Sequence, residues 1–206
     1  MSGGPTICLM PTRKPSIYQL KITLLGIRPP IWRRIQVPST MPLCCLHDAF
    51  QAVMGWTDSH LHEFEKDGEC WGVPDPDDDI DVIDESRVPT GKLLLAEGDT
   101  AVYVYDFGDD WRHHVVLEKI VPSDVAQPKP VCIAGKRRCP PEDVGGAPGY
   151  GEFLEAIFDP EHAEFGHFRA WAGKPFHAED FDVKAVNDIL DRMQWPKRHR
   201  RGDWRS

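Results

Sequence analysis

The chain has 206 residues, 41% hydrophobic and 28% charged, with a formal net charge of −9. That balance fits a globular domain large enough to fold without disulfides or metal, and excludes a disordered chain. No run of about 18 apolar residues occurs and residues 1–16 lack the apolar core of a signal sequence, so the expectation is a cytoplasmic protein with no membrane partner.

Residues 1–15 read as a flexible leader. From Ile17 to Ile27 the chain alternates, placing Tyr18, Leu20, Ile22 and Leu24 on one face of a strand. Ile31 to Val37 resumes as a second strand, which makes a hairpin around Gly26 to Pro30. Within PPIWRR, Ile31 and Trp32 are expected to pack, while Arg33 and Arg34 bond nearby acids. Pro42 opens a helix whose apolar face is Leu43, Leu46, Phe50, Val53 and Met54, and Gly55 suits its end.

Residues 60–73 read as strand or hairpin, and Asp75 to Glu85, with seven carboxylates in eleven residues, as a loop. That run is no EF-hand: counting from Asp75, position 6 is Ile80 and position 12 is Ser86. Val102 to Phe107 and Trp111 to Val121 are Val- and Tyr-rich and flank Gly108, which predicts an antiparallel hairpin.

Ser123 to Pro130 is a connection, and Cys139 to Gly149 is irregular. Three helices follow. Phe153, Leu154, Ile157 and Phe158 mark the first; Asp159-Pro160 starts the second, to about Trp171; Asp182 caps the third, with Val183, Val186, Leu190 and Met193 on one face. Strands early and helices late predict an α+β fold, a mostly antiparallel sheet with helices on one face, as a single domain over 16–194.

Residues 195–206 hold five Lys/Arg against Asp203, a net of +4, so the remainder carries −13. Such a body repels phosphate backbones. Weak nucleic-acid contact is then left to Lys197, Arg198, Arg200 and Arg201 on a basic, disordered tail. The six cysteines, Cys8, Cys44, Cys45, Cys70, Cys132 and Cys139, form no CxxC pair and are expected as thiols.

Three segments concentrate chemistry. In SHLHEF, His60 and His62 share a face if they lie on a strand, where two imidazoles chelate a divalent metal. In YDFGDDWRHHV, alternation puts Trp111, His113 and Val115 on one face, and Arg112, His114 and Val116 on the other. Asp109 and Asp110 fit turn chemistry, whereas Asp106, at a strand end, needs a partner such as the Trp111 or His113 N–H. In CPPEDVGGAPGY, Pro140-Pro141 stiffens the backbone that presents Glu142 and Asp143 beside Cys139. Those acids serve as backbone caps in a rigid loop or face the histidines as a site loop. No phosphate-binding loop and no GxSxG elbow occurs.

With GIRPPIWRRIQVP and LHDAFQAVMGW, these segments resemble the plasmid pRiA4b ORF-3-like family over residues 16–194. The resemblance implies an α+β domain found near plasmids and insertion elements. Some relatives carry a resolvase-like label as insertion-element passenger proteins. The residues do not support that label as chemistry, because His199, Arg200 and Arg201 sit together and no tyrosine follows Tyr150. The motif positions carried over are His62, Asp106, Asp109, Trp111, His113, Cys139, Glu142 and Asp143.

Two functions remain. The first is a non-catalytic binding or accessory module linked to mobile elements. The second is a metal-dependent enzyme, such as a hydrolase, with His60, His62 and His113 as ligands of a divalent metal and Asp106, His113 and Glu142 as catalytic candidates.

Overall fold

The computed structural model describes residues 16–74, 82–125, 128–173 and 175–195. The leader and the basic cluster Lys197, Arg198, Arg200 and Arg201 therefore lie outside the described residues. Among those described, no helix is long and apolar enough to cross a membrane.

Among the described residues, eight strands form one sheet: β1 (Ser16–Leu24), β2 (Trp32–Pro38), β3 (His62–Lys66), β4 (Glu69–Gly72), β5 (Ile83–Asp84), β6 (Thr100–Tyr105), β7 (Trp111–Pro122) and β8 (Val131–Lys136). Their spatial order is β5-β4-β3-β6-β7-β1-β2-β8. Every pairing is antiparallel except the two-residue parallel β4–β5 contact. The helices are α1 (Leu43–Met54), α2 (Thr90–Leu93), α3 (Gly146–Phe158), α4 (Phe165–Ala172) and α5 (Val183–Arg192). The fold is α+β, a mostly antiparallel sheet with its helices packed on one face.

Alternation along the strands decides which face is covered. Tyr18, Leu20, Ile22 and Leu24 are all buried on β1, as the sequence pattern predicts. Full burial of one such aliphatic side chain contributes about 1.5–3 kcal/mol. On β7, Trp111, His113 and Val115 are buried, while Arg112, His114 and Val116 are not. The opposite sheet face is polar: Arg34 forks onto Glu118 at 2.6 and 2.8 Å, Gln19 joins the same carboxylate, and Arg112 pairs with Glu65.

Helix α1 closes the apolar face. It stops where Gly55 takes a left-handed φ of 87°, a conformation that glycine adopts without a steric penalty. The last helix begins as predicted, with the Asp182 carboxylate accepting from the N–H groups of Lys184 and Ala185. Helix α5 also shields an edge of the sheet. The Asn187 amide accepts from the Cys132 N–H and donates to the Cys132 carbonyl, both at 2.8 Å.

Several boundaries differ from expectation. The end of the acidic run is not loop: Ile83–Asp84 forms β5, and Glu85–Arg87 a 3-10 turn capped by Asp84. Helix α3 starts at Gly146, earlier than its apolar pattern suggests, and Phe158 is exposed. Helix α4 starts at Phe165, because Asp159 spends its side chain on a local turn with the Glu161 N–H. Helix α2 has four residues, too few for periodicity to show, and on β8 the aliphatic Val131 and Ile133 are exposed while Cys132 is buried, so hydrophobic alternation does not mark the strand.

Arg33 also departs from expectation. It meets no acid. Its guanidinium donates to the carbonyls of Val53, Trp32 and Lys136 and to the Cys139 thiol, and lies 3.9 Å from the Phe181 ring centre. Burial lowers its pKa. Arg34 does find its acid. The described cysteines are free thiols.

Candidate metal centre

Register builds the site. Across the covered face, one row reads His62, Tyr105, Trp111, and the next Phe64, Tyr103, His113, Leu24. Helix α1 lays His47, Phe50 and Gln51 over these rows, all three buried.

His47 and His62 stack, with ring centres 3.4 Å apart and planes 7° from parallel. His47 Nδ1 lies 2.8 Å from the Tyr103 hydroxyl, which also accepts from Gln51. His47 Nε2 lies 2.8 Å from Asp58 Oδ1. Asp58 sits just past α1 at a positive φ of 58°, held by its N–H on the Gln51 side-chain oxygen. The hydrogen bond from His47 pulls the Asp58 pKa below the usual carboxylate value. His62 Nε2 faces both oxygens of Glu85, at 3.0 and 3.1 Å. Glu85 is buried, and among the described residues no Lys or Arg forms an ion pair with it. One ligand atom each from His47, Asp58 and His62 falls within 4.8 Å of the others.

His60 takes another direction. It precedes β3, and its Nε2 lies 3.1 Å from Asp143 Oδ1 and 3.5 Å from Asp106 Oδ2. The two histidines expected to chelate together thus join different groups, because His60 falls before the strand and escapes its alternation.

Asp106 is buried, but Trp111 and His113 do not supply its partner. Its Oδ1 accepts the N–H groups of Gly108 and Asp109, closing the turn, and its own N–H donates to the Leu61 carbonyl. Asp109 reaches the neighbouring loop, accepting the Gly145 N–H at 3.1 Å.

The proposed Asp106–His113 pair is likewise not formed. His113 Nδ1 lies 3.1 Å from the Tyr103 carbonyl, and its Nε2 is buried without a hydrogen-bond partner. Burial drives its pKa down to about 4, with the Arg33 charge adding to the effect. The structure brings His113 into neither carboxylate group.

Glu142 stands between the two groups. It accepts from the Thr57 hydroxyl and N–H and from the Tyr105 hydroxyl. Burial, and then the Glu142 carboxylate, push the Tyr105 pKa up, so the phenol stays a donor. Glu142 thereby ties the loop after α1 to β6. Cys139 is buried between Arg33 and Met54, and burial raises its pKa.

Sequence reasoning missed His47, Asp58 and Glu85. His47 carried a signal: it lies four residues after Leu43 and three before Phe50, on the apolar face of α1. Glu85 was hidden among the acids around it, and Asp58 gains its role only from the turn after α1.

Comparison with known proteins places this architecture. The family model described as plasmid pRiA4b ORF-3-like protein matches residues 16–185. The chain is 40% identical over 195 residues to "Uncharacterized protein y4hQ" of Sinorhizobium fredii, covering 90% of this chain and 97% of that one. A crystal structure of the protein of unknown function MM3350 from Methanosarcina mazei Go1 superposes with a TM-score of 0.75 at 42% identity, covering 83% of this chain and 97% of that one. This chain belongs to the plasmid pRiA4b ORF-3-like protein family.

Proposed function

We propose that the chain is a non-catalytic accessory module that binds a divalent metal ion of the zinc type through His47, His62 and Asp58. The observation that carries this reading is the convergence of one ligand atom each from His47, Asp58 and His62 to within 4.8 Å of one another; because an imidazole lone pair lies in its ring plane, one ring tilts out of the parallel stack to share an ion. Two imidazoles with carboxylate oxygens are a donor set that suits zinc, at bond lengths of about 2.0–2.2 Å. The Tyr103 hydroxyl on His47 Nδ1 plays the part of an outer partner that fixes a ligating ring. Glu85 stands outside that three-residue group and holds His62 from behind, as an outer carboxylate does for a ligating histidine.

A large cleft among the described residues lies elsewhere. Its volume is about 1040 Å³, and it is lined by Trp56, Trp171, Phe176 and Phe181 rather than by the paired histidines. An accessory role also accords with the plasmid association in the family's description.

The test is zinc titration by calorimetry, with metal analysis, on the full chain purified without a histidine tag. Wild type is expected to hold a zinc equivalent that His47→Ala and Asp58→Asn lose. Asp58 is exposed, so its variant keeps the test open if His47→Ala folds poorly. Zinc uptake that is absent, or unchanged in both variants, overturns the reading.

A further inference from the structure

The second group, His60, Asp106 and Asp143, has its own architecture. One ligand atom from each residue lies within 4.8 Å of the others. His60 Nε2 is buried at the atom, yet it has no aligned hydrogen bond in spite of the nearby carboxylates. A ring nitrogen out of water without a partner is destabilising unless something else satisfies it.

The carboxylates are held for that position. Asp106 Oδ1 is occupied by the Gly108 and Asp109 N–H groups, which leaves Oδ2 to face His60. The Asp109 side chain on the Gly145 N–H ties the 106–110 turn to the loop that carries Asp143. The two turns touch so closely that a Cβ on Gly146 would come 2.5 Å from the Asp109 carbonyl oxygen.

We propose that His60, Asp106 and Asp143 form a second divalent-cation site, open to solvent and suited to a harder ion such as Mn2+. Two carboxylates with one imidazole favour a harder ion than two imidazoles do. The Asp143 side chain is 70% exposed, so water completes the coordination on that side. This site stands apart from the His47 group, since no residue is shared.

The experiment titrates the metal-free full chain with Mn2+ and follows free aqueous Mn2+ by electron paramagnetic resonance. One equivalent is expected to bind in wild type and in Asp58→Asn. Affinity is expected to fall at least about 100-fold in His60→Ala and in Asp143→Asn, on the scale set by loss of even an outer partner. Asn tolerates the left-handed backbone at position 143, so that variant keeps the fold if His60→Ala does not. Three results overturn the proposal: no uptake in wild type, uptake unchanged in His60→Ala and Asp143→Asn, or uptake lost in Asp58→Asn. The last would place Mn2+ at the His47 group, while failure of zinc binding there leaves this site's result intact.

Discussion

His62 and His113 stand on the same face of one sheet, but their surroundings are opposite. At the β3 end, His62 stacks on His47, and carboxylates meet both rings. At the β7 position, His113 packs against Trp56 and Tyr103 near the Arg33 guanidinium, with one nitrogen unpartnered. The first setting gathers negative charge around imidazole, and the second withholds it. Density of histidine in a sequence therefore says little until the neighbours of each ring are known. In this chain the neighbours come from α1 and the turn after it, the 3-10 turn, β6 and β2, and alternation within one strand shows none of them.

The contrast can be broken first at its apolar end. Trp111 is 1% exposed beneath Trp56 and beside His113. Trp111→Ala is expected to destabilise the fold by about 4 kcal/mol in urea unfolding at neutral pH, the usual scale for emptying such a site. A loss below about 1 kcal/mol would show that this end does not carry the packing assigned to it.

The next effect separates the histidines by proton uptake. The folded His113 pKa of about 4 lies below the ordinary histidine value of 6.5. Below that ordinary value the unfolded chain gains a proton that the fold refuses, so stability is lost as pH falls from about 6.5 to about 4. His113→Phe keeps an aromatic ring, slightly larger, and removes the proton site. Its acid-induced loss of stability, measured by urea unfolding between about pH 7 and pH 4, is expected to be smaller than wild type by on the order of 3 kcal/mol. Parallel profiles for the two proteins would place His113 in a wetter setting than the structure gives.

The smallest effect belongs to the turns at the polar end. Gly146 has a φ of 67° and no room for a Cβ against Asp109. Gly146→Ala is expected to cost about 2 kcal/mol while leaving the His113 pH profile unchanged. A shift in that profile would mean that the two ends are coupled.

Much of this was legible in the sequence, for a physical reason. Burial on one face forces alternation, so Tyr18 to Leu24 and Trp111 to Val115 announce both their strands and their inward residues. Helices α1 and α5 are legible from their apolar spacing and their ends, Gly55 and Asp182. Site composition was harder. His60, Asp106 and Asp143 were each singled out, but their convergence depends on turn contacts between Asp109 and the Gly145-Gly146 backbone. His62 was read as the partner of His60, when its partners are a helix residue and an acid beyond the next hairpin. Arg33 was expected to bond an acid, because no local pattern reveals that carbonyls from β8 and the end of α1 will enclose it.

One small feature has a wider reach. A sheet ends in a strand whose outward N–H and C=O groups invite another chain to continue the ladder. At β8 the Asn187 amide already fills both groups of Cys132, as a neighbouring strand would. Helix α5 thereby acts as a stopper against edge-to-edge growth, so self-association by strand addition is blocked at that residue by a neutral amide, in addition to the charge of Lys136 at the strand's end.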